Sequence, residues 1–413
     1  MIISGGTYRE NVVLEDHHED LGGSGFRAAH ALCRSDTTLY TAVESPLASI
    51  LSSATELLNF SHVNIGRNKS VGFDYLSPFV TPQIRGFDAI LDQTLTVEGE
   101  TILAFGMVEK GRRGFSADSI VYDPQTVNDP GLQDILDSRR KRLALSANVV
   151  ETQGLGGTQD VKAAALAAMR RTGADVAVTK AGARGCLVSD LASGIQEWIG
   201  AYPTTSLTKL GSGDVFSAAF AAAWFDGAET VDAARIASRA TAWWCSNGSN
   251  RIPSQLLSGK HDNTGKYSST LKELSNDGAQ PLVYLAGPFF TPHERWLIDS
   301  SRDFLIQAGA RVFSPVHEVG LGGPGVASSD LAGLDSADVV FAILDGWDPG
   351  TVFETGWASR QNIPVVAYLS NHNEINTTML VGTGAEIHSD LTTAMYRSIW
   401  VGLGADMMKG GNR

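Results

Sequence analysis

The chain alternates short runs of apolar, β-branched residues with Ala-rich stretches whose apolar positions repeat at helical spacing. Short apolar runs are typical of buried strands, and the longer repeat is typical of amphipathic helices. Before residue 258 the predicted strands are Thr38–Val43, Ile102–Met107, Ser119–Tyr122, Leu143–Ala147 and Val176–Thr179, and the predicted helices are Gly25–Arg34, Leu47–Leu58, Gln159–Thr172, Asp214–Phe225 and Val231–Asn247. This alternation favours βαβ units and a mainly parallel sheet covered by helices on both faces.

The same alternation restarts after residue 279. The predicted strands are Leu282–Ala286, Arg311–Ser314, Ala337–Leu344 and Val365–Leu369, and the predicted helices are Glu294–Ala308, Ser328–Asp335, Thr351–Gln361 and Leu391–Leu403. Residues 258–279, between the two halves, are small and polar without periodicity, which is typical of a linker. We therefore expect an α/β protein with two doubly wound domains, residues 1–257 and 280–413, of which the second has a smaller, Rossmann-like parallel sheet.

Composition indicates a soluble globular protein, because 43% of the 413 residues are hydrophobic and 19% are charged. A net charge of -13 argues against a broad surface for nucleic acid or anionic membranes. The three cysteines, Cys33, Cys186 and Cys245, have neither CxxC nor zinc spacing, which indicates buried thiols in a reducing cytoplasm. With neither a leader nor a membrane-length apolar run, we expect a cytoplasmic protein without nucleic-acid or membrane partners.

The stretch from Asp345 to Ala358 carries the clearest candidate chemistry. It follows an apolar strand, turns through Asp, Gly and Pro, and continues into a helix that Thr351 can cap, with Glu354 in the first turn. Carboxylates at the carboxyl end of a parallel strand lie where open α/β sheets bind ligands. We predict that Glu354 is a nucleophile and that Asp348 binds substrate; the alternative is a capped turn followed by an exposed helical glutamate.

Further motifs accompany this stretch. They are Tyr284-Leu-Ala-Gly-Pro-Phe-Phe290, Asp330, Asp348-Pro-Gly-Thr-Val-Phe-Glu-Thr-Gly-Trp-Ala358 and a later Asn376. The series resembles the nucleoside 2-deoxyribosyltransferase family over residues 281–400. The resemblance implies that ionised Glu354 attacks the sugar C1′ and forms a covalent deoxyribosyl intermediate, which then passes to another base or to water. The dipole of the helix is expected to keep Glu354 ionised, and no cofactor is expected in this half.

The same resemblance implies roles for the neighbouring side chains. Tyr284 steadies the nucleophile, and Asp330 and Asp348 hydrogen-bond the leaving base or protonate it. Phe289 either stacks on the base or packs in the core. Asn376 reaches the site of a neighbouring subunit, which implies a homo-oligomer with at least two copies.

Five motifs in the first half place glycines or polar residues at the ends of predicted strands or in front of predicted helices. They are, in order, Gly22-Gly23-Ser-Gly25, Asp123-Pro124, Asn148-Val-Val-Glu151, Thr179-Lys-Ala-Gly-Ala-Arg-Gly185 and Gly211-Ser-Gly-Asp214. Glycines in front of a helix leave its first amides free to hold an anion. Together the motifs resemble the ribokinase-like (PfkB) family of sugar and nucleoside kinases across nearly all of the first 255 residues. The resemblance implies an α/β/α sandwich that uses ATP and Mg²⁺.

This second resemblance assigns each motif a role in phosphoryl transfer. Asp214 is the catalytic base that accepts the hydroxyl proton. The other positions are Gly211, Ser212 and Gly213 in the anion hole; Asn148 and Glu151 at the Mg²⁺ and phosphate, with Glu151 as the metal ligand; Thr179, Gly182 and Gly185 along ATP; and Gly22, Gly23 and Arg27 beside the phosphate acceptor.

Four features depart from the kinase pattern. Arg27 replaces the usual Asn, and the segment Leu207–Leu210 replaces an Asp. The family usually has an acidic residue soon after its first strand, and here the turn Gly5–Asn11 stands in that place. The short interval before Gly22 predicts that the small β-lid of the family is reduced or absent. These changes retain the phosphate-binding motifs and alter the acceptor pocket, where Arg27 either binds an acceptor phosphate or has a structural role.

Both halves indicate nucleoside or sugar metabolism, with nucleosides, bases and sugars as partners. The favoured hypothesis is a bifunctional enzyme, an ATP-dependent kinase fused to a nucleoside deoxyribosyltransferase or N-glycosidase. One alternative is an N-glycosidase regulated or scaffolded by a non-catalytic kinase-like domain; another is hydrolysis of an N-glycoside such as NAD⁺. The sequence leaves open the base, the sugar, transfer versus hydrolysis, and the order of the two reactions.

Overall fold

The computed structural model describes residues 1–13, 19–32, 34–127, 131–248, 251–258, 271–275, 277–320, 322, 325–371 and 374–408, with only the backbone at 19, 20 and 374–376. The chain divides into two compact units. Unit 1 comprises Met1–Ala181, Gly185–Tyr202 and Thr208–Leu271, and unit 2 comprises Gly182–Arg184, Pro203–Leu207 and Lys272–Arg413. Cys33 and residues 259–270 and 276 of the predicted linker lie outside the described residues.

A nine-stranded sheet forms the centre of unit 1. The strands of this unit are β1 (Ile2–Ser4), β2 (Tyr8–Val12), β3 (Glu19–Gly22), β4 (Thr38–Thr41), β5 (Ser61–Asn64), β6 (Gly72–Tyr75), β7 (Gln83–Arg85), β8 (Leu95–Phe105), β9 (Arg113–Asp123), β10 (Arg139–Asn148), β11 (Val176–Lys180), β12 (Cys186–Asp190) and β13 (Ile195–Ile199). The large sheet has the order β13-β12-β11-β10-β9-β8-β1-β4-β5. Among the described strands of this sheet, only β12 pairs antiparallel to its two neighbours, so the predicted mainly parallel sheet is confirmed.

Helices surround this sheet, and one of them is buried along nearly its whole length. They are α1 (Ser24–Leu32), α2 (Ser45–Leu58), α3 (Leu132–Leu136), α4 (Val149–Gly156), α5 (Val161–Thr172), α6 (Ser212–Phe225), α7 (Thr230–Ser246) and α8 (Ser254–Leu257). Helix α6 packs on β8 and β9 and beside α1 and α7. Its alanines and phenylalanines leave no polar face in the helix interior, which is typical of a helix enclosed by other elements. This packing fixes the Gly211–Asp214 turn at its start.

A second, four-stranded sheet in unit 1 has the order β3-β2-β6-β7. Strand β2 pairs antiparallel with β3 and parallel with β6. The expectation that the small sheet is reduced or absent is wrong. Two of its strands lie in residues 72–85, after the glycine turn, so the short interval before Gly22 does not limit its size.

Unit 2 is built on a five-stranded, all-parallel sheet. Its strands are β14 (Leu282–Ala286), β15 (Arg311–Phe313), β16 (Val339–Ile343), β17 (Val365–Tyr368) and β18 (Glu386–His388), and its helices are α9 (Pro292–Gln307), α10 (Pro315–Glu318), α11 (Ala327–Asp335), α12 (Pro349–Arg360), α13 (Glu374–Gly382) and α14 (Leu391–Gly402). The order β15-β14-β16-β17-β18 makes β14 and β16 the point where chain order reverses. Ligands bind beyond the carboxyl ends of strands at such a point. Among the described helices of both units, none is long and apolar enough to cross a membrane.

A buried ion pair ties β18 to α14 in unit 2. Glu386, which is 2% exposed, accepts from Arg397 at 2.5 and 2.8 Å, from the His388 ring at 2.6 Å and from the Met408 amide at 2.9 Å. Burial acts to raise the pKa of Glu386, but these hydrogen bonds and the charge of Arg397 lower it to about 2. The ionised carboxylate therefore stabilises the folded state.

We expect Glu386→Gln to destabilise unit 2 by about 3 kcal/mol at pH 7, because it leaves the Arg397 guanidinium without its counter-charge. The pKa is lowered on folding, so this contribution is present above the unfolded pKa of about 4.3 and is lost as the pH falls toward 2. Urea unfolding of both proteins between pH 3 and pH 7 measures the difference. Glu318→Gln, at an exposed carboxylate 3.5 Å from Arg302, is the control and should change stability by less than about 1 kcal/mol. A difference between wild type and Glu386→Gln that is as large at pH 3 as at pH 7 would contradict the account.

Candidate active sites

The turn between β16 and α12 holds the carboxylates of unit 2. Gly346 and Trp347 adopt left-handed backbone angles, with φ of 84° and 55°. Asp345 accepts hydrogen bonds from the Ser370 amide at 2.9 Å and hydroxyl at 3.0 Å. Asp345 therefore joins the turn to the segment after β17, and its carboxylate has a structural role.

Asp348 is the N-cap of α12. Its Oδ2 accepts from the Thr351 amide at 2.7 Å and from the Thr351 hydroxyl at 2.9 Å. Thr351 was expected to cap the helix, and this is wrong, because Asp348 followed by Pro349 starts the helix three residues earlier. Glu354 consequently lies in the second turn, where the helix dipole has little effect on its charge.

Glu354 is instead held by a tyrosine from the neighbouring strand. The Tyr284 hydroxyl donates to Glu354 Oε1 at 2.6 Å. Burial raises the pKa of Glu354 to about 7; the hydrogen bond from Tyr284 opposes the rise, and the charges of Asp330 and Asp348 add to it. Burial and the charge of Glu354 also raise the pKa of Tyr284. The structure thus brings four predicted site residues together: a phenol and three carboxylates.

Asp330 has a free oxygen in this cluster. It lies on α11, and its Oδ1 is enclosed without a hydrogen-bond partner among the described residues. Burial raises the pKa of this carboxyl. A carboxyl group with a raised pKa and an unoccupied oxygen is suited to donate a proton.

The two remaining predicted residues of unit 2 are placed differently. Phe289 follows β14 and packs against Phe290, with ring centroids 4.8 Å apart, and the Arg295 guanidinium lies 5.9 Å from its ring centroid. Asn376 lies within α13, but its side chain is outside the described part of the structure. The contacts of Phe289 leave base stacking and packing open, and the role of Asn376 stays a prediction.

Phe313 is a site residue that the sequence analysis missed. Its ring stacks on Tyr284, with centroids 5.5 Å apart and planes 11° apart. Gly333 makes room for it, since a β-carbon there would lie 2.3 Å from the Phe313 ring. Phe313 therefore fixes the ring that holds Glu354. The only sequence signal is its position near the end of the predicted strand Arg311–Ser314.

Asp214 is at the centre of the candidate site in unit 1. It lies in the first turn of α6 and is 8% exposed. Its Oδ2 accepts from Arg27 at 2.6 Å and its Oδ1 accepts from the Gln125 side chain at 3.1 Å. Gly211 precedes the helix at φ 80°, and a β-carbon there would lie 2.0 Å from Arg27. A larger residue at 211 would displace Arg27 from Asp214.

Glu10 is the residue that the sequence analysis missed in this unit. It projects from β2, forms an ion pair with Arg27 and accepts from the Gly23 amide at 2.8 Å. Gly22 is required beside it, because a β-carbon there would lie 2.3 Å from the Glu10 carboxyl carbon. An acidic side chain therefore does face the Gly22-Gly23 turn. The pairing of β2 with β3 places it there, which local sequence does not reveal.

Behind Asp214, the carboxylate of Asp123 is fully buried and paired. Lys180 donates to its Oδ2 at 2.5 Å and the Ser217 hydroxyl at 2.7 Å. Lys180 also reaches Ser217 at 3.2 Å. The pair supplies each buried charge with a counter-charge, as such groups require.

Asn148 and Glu151 form a capping box at the start of α4. The Glu151 amide donates to Asn148 Oδ1, and the Asn148 amide donates to Glu151 Oε2, both at 2.8 Å. Burial raises the pKa of Glu151 to about 7, with a smaller rise from the charge of Asp123, against the charge of Lys180. Among the described residues, no three His, Cys, Asp or Glu side chains are grouped to hold a metal ion. Glu151 offers a single carboxylate ligand. This fits Mg²⁺ if waters and substrate phosphates supply most of its other ligands, which is how Mg²⁺ usually binds.

The Thr179–Gly185 loop has a structural role that local geometry explains. Thr179 is buried, and its hydroxyl lies 3.3 Å from that of Thr152. Gly182 and Gly185 have φ of 60° and 89°. A β-carbon at Gly185 would lie 2.1 Å from the Ile199 carbonyl oxygen. These glycines permit the turn from β11 into β12, and their contact with ATP stays a prediction.

Two family models match separate parts of the chain. The model for pfkB family carbohydrate kinase matches residues 118–255, and the model for nucleoside 2-deoxyribosyltransferase matches residues 283–395. Similar solved structures include ribokinase from Thermotoga maritima, with 13% identity and a TM-score of 0.48 over 62% of this chain and 98% of that chain. Phosphofructokinase-2 from Escherichia coli has 14% identity and a TM-score of 0.46 over 62% and 94%. No curated protein matches the sequence.

The family matches confirm the two resemblances that the motifs predicted. Tyr284 and Glu354 lie within the second matched segment, and Asp214 lies within the first. The chain therefore joins a part similar to pfkB family carbohydrate kinases to a part similar to nucleoside 2-deoxyribosyltransferases.

Proposed function

We propose that unit 2 breaks the N-glycosidic bond of a nucleoside through Glu354, and that unit 1 phosphorylates a hydroxyl group of a sugar or nucleoside with ATP. The observation that carries the first half is the 2.6 Å hydrogen bond from the Tyr284 hydroxyl to Glu354. A buried carboxylate held by a phenol beside two further carboxylates is suited to stabilise and capture a cationic sugar carbon.

Glu354 Oε1 is bound to Tyr284, which leaves Oε2 to attack C1′ of the sugar. As the new C1′–O bond forms, the C1′–N bond breaks and its electron pair goes to the base. Asp330, whose raised pKa favours its acid form, gives a proton to that base. Asp348 uses the oxygen not bound to Thr351 to hold the base, and Phe289 stacks on it.

The second step releases the sugar from Glu354. Water or a second base attacks C1′, the C1′–O bond to Glu354 breaks, and the Asp330 carboxylate accepts the proton of the attacking group. Two displacements at the same carbon give net retention of configuration. Asn376 of a neighbouring copy in a homo-oligomer is proposed to bind the 5′ end of the sugar.

In unit 1, Asp214 takes the proton of the acceptor hydroxyl while that oxygen attacks the terminal phosphorus of ATP and the bond to ADP breaks. The amides of Gly211, Ser212 and Gly213 hold the transferred group. When bound with the donor, Mg²⁺ would neutralise phosphate charge. The proposed contacts are Asn148 and Glu151 toward Mg²⁺ and phosphate, Thr179, Gly182 and Gly185 toward ATP, and Gly22, Gly23 and Arg27 toward the acceptor.

One observation favours a second candidate for unit 1, a non-catalytic nucleotide-binding part that controls unit 2. Both oxygens of Asp214 already accept hydrogen bonds, from Arg27 and Gln125. Each carboxylate oxygen has a second lone pair, however, so a hydroxyl proton can still be accepted. We therefore place an active kinase first and test it directly.

Glu354→Gln should reduce release of base from deoxyribonucleosides by about 10³-fold or more, because the nucleophile is removed. Chromatography of a nucleoside panel, with and without an added second base, measures release and separates transfer from hydrolysis. Glu318→Gln, an exposed site in the same unit, should retain activity. Full base release by Glu354→Gln would remove the proposed nucleophile.

The rate of base release should fall below a pH of about 7, since Glu354 must be ionised and its pKa is raised to about 7. Tyr284→Phe removes the hydrogen bond that favours the ionised form, so this acid limb should move up by about one pH unit. The pH dependence of kcat/KM for both proteins measures the shift. Tyr368→Phe in β17 is the matched control. If the acid limb of Tyr284→Phe lies at the same pH as in wild type or at a lower pH, the Tyr284 hydroxyl does not stabilise the ionised form of Glu354.

Asp214→Asn should reduce ATP-dependent phosphorylation of sugars and nucleosides by about 10²- to 10⁴-fold, as loss of a general base does. Phosphate transfer from radiolabelled ATP to an acceptor panel measures it. Asp226→Asn, at the other end of α6 and exposed, should behave as wild type. Undiminished phosphorylation by Asp214→Asn would exclude Asp214 as the base, and a wild type inactive on every acceptor would favour the non-catalytic alternative.

A further inference from the structure

Lys209 is hydrogen-bonded to Ser212 at the start of α6. Its ammonium donates to the Ser212 hydroxyl at 3.1 Å, and its carbonyl oxygen accepts from the Ser212 amide, also at 3.1 Å. Lys209 belongs to the segment Leu207–Leu210, where the sequence departs from the kinase pattern. The side chain therefore lies directly beside the Gly211–Gly213 turn.

The charge of Lys209 has no counter-charge of its own. Within the described residues it forms no ion pair; the only carboxylate whose charge affects it is Asp214, which is paired with Arg27. Cys245 is also near, but burial raises the pKa of its thiol to about 12, so the thiol is uncharged at neutral pH. Burial and the charge of Lys180 lower the pKa of Lys209. Lys209 is partly exposed, and an anion bound at this turn would supply the counter-charge that it lacks.

The N-terminus of helix α6 lies beside Lys209. Helix α6 begins at Ser212 without a side-chain cap among the described residues, so the positive end of a 14-residue helix is available. The Lys180 ammonium lies 3.7 Å from where a β-carbon at Gly213 would be. Lys180 is neutralised by Asp123. The turn thus has two flanking ammonium groups, of which one lacks a negative partner.

We propose that Lys209 binds the terminal phosphoryl group of the phosphate donor in unit 1, together with the amides of Gly211–Gly213. The ligand class is the polyphosphate of a nucleoside triphosphate, because the kinase function proposed above places the terminal phosphoryl group of ATP on the amides of Gly211–Gly213, and Lys209 is hydrogen-bonded to Ser212 in that turn. This inference rests on the kinase function proposed above. It assigns Lys209 to donor affinity and transfer rate, with no contact to the acceptor.

Lys209→Met keeps most of the length of the side chain and removes its charge. Binding of the non-hydrolysable ATP analogue AMP-PNP with MgCl₂, measured by calorimetry, should weaken by about 10- to 100-fold, as expected for loss of a charged hydrogen bond. The KM for the acceptor should stay the same while kcat falls, and Lys209→Arg should restore most of the affinity. Lys141→Met, at an exposed lysine of unit 1, should bind as wild type.

Thermal unfolding without ligand separates donor binding from a structural role. Because Lys209 has no counter-charge, Lys209→Met should unfold at the same Tm as wild type or higher. AMP-PNP affinity equal to wild type in Lys209→Met would overturn the inference while leaving the kinase function intact. A lower Tm together with lost binding would assign Lys209 a structural role. If wild-type protein binds no AMP-PNP, both the inference and the proposed kinase function fail.

Discussion

The chemistry proposed for unit 2 depends on the hydrogen bond between the Tyr284 hydroxyl and Glu354. A carboxylate removed from water favours its neutral form, and two neighbouring carboxylates add to that tendency. The phenol donates to the ionised form and limits the rise of the pKa of Glu354 to about 7. Phe313 fixes the tyrosine ring and Asp348 fixes the start of α12, so the sheet and the helix together determine how far Glu354 is ionised near neutral pH.

In unit 1, arginine and lysine side chains neutralise the buried carboxylates. Arg27 bridges Glu10 and Asp214, and Lys180 neutralises Asp123. Each partner comes from a different element, so the small sheet, α1 and α6 must all be in place before the carboxylates are paired. The turn before α6 retains one unbalanced positive charge, and that imbalance indicates where a phosphate donor would bind.

Helices and strands that carry their own apolar pattern could be predicted from the sequence. Elements that depend on pairing between distant segments could not. Strand β14 was predicted with the bounds observed, because its apolar run is continuous. Strands β12 and β13 were missed because both contain polar residues and pair antiparallel. The helix start at Asp348 was misplaced because Thr351 is also a common cap residue, although Asp348 followed by Pro349 is the stronger start signal in the sequence. Glu10 could not be found, because its role arises from the pairing of β2 with β3.

The most direct test of the central claim is a search for a covalent sugar on Glu354. A 2-fluoro-2-deoxyribonucleoside slows both displacements, because the fluorine destabilises their cationic transition states, so an ester formed on Glu354 is long-lived. Mass spectrometry of peptides from protein quenched during turnover then locates the added mass. We predict a fluorodeoxyribosyl group on the peptide that contains Glu354, and on that side chain. Turnover without any adduct, or an adduct on another residue, would contradict it.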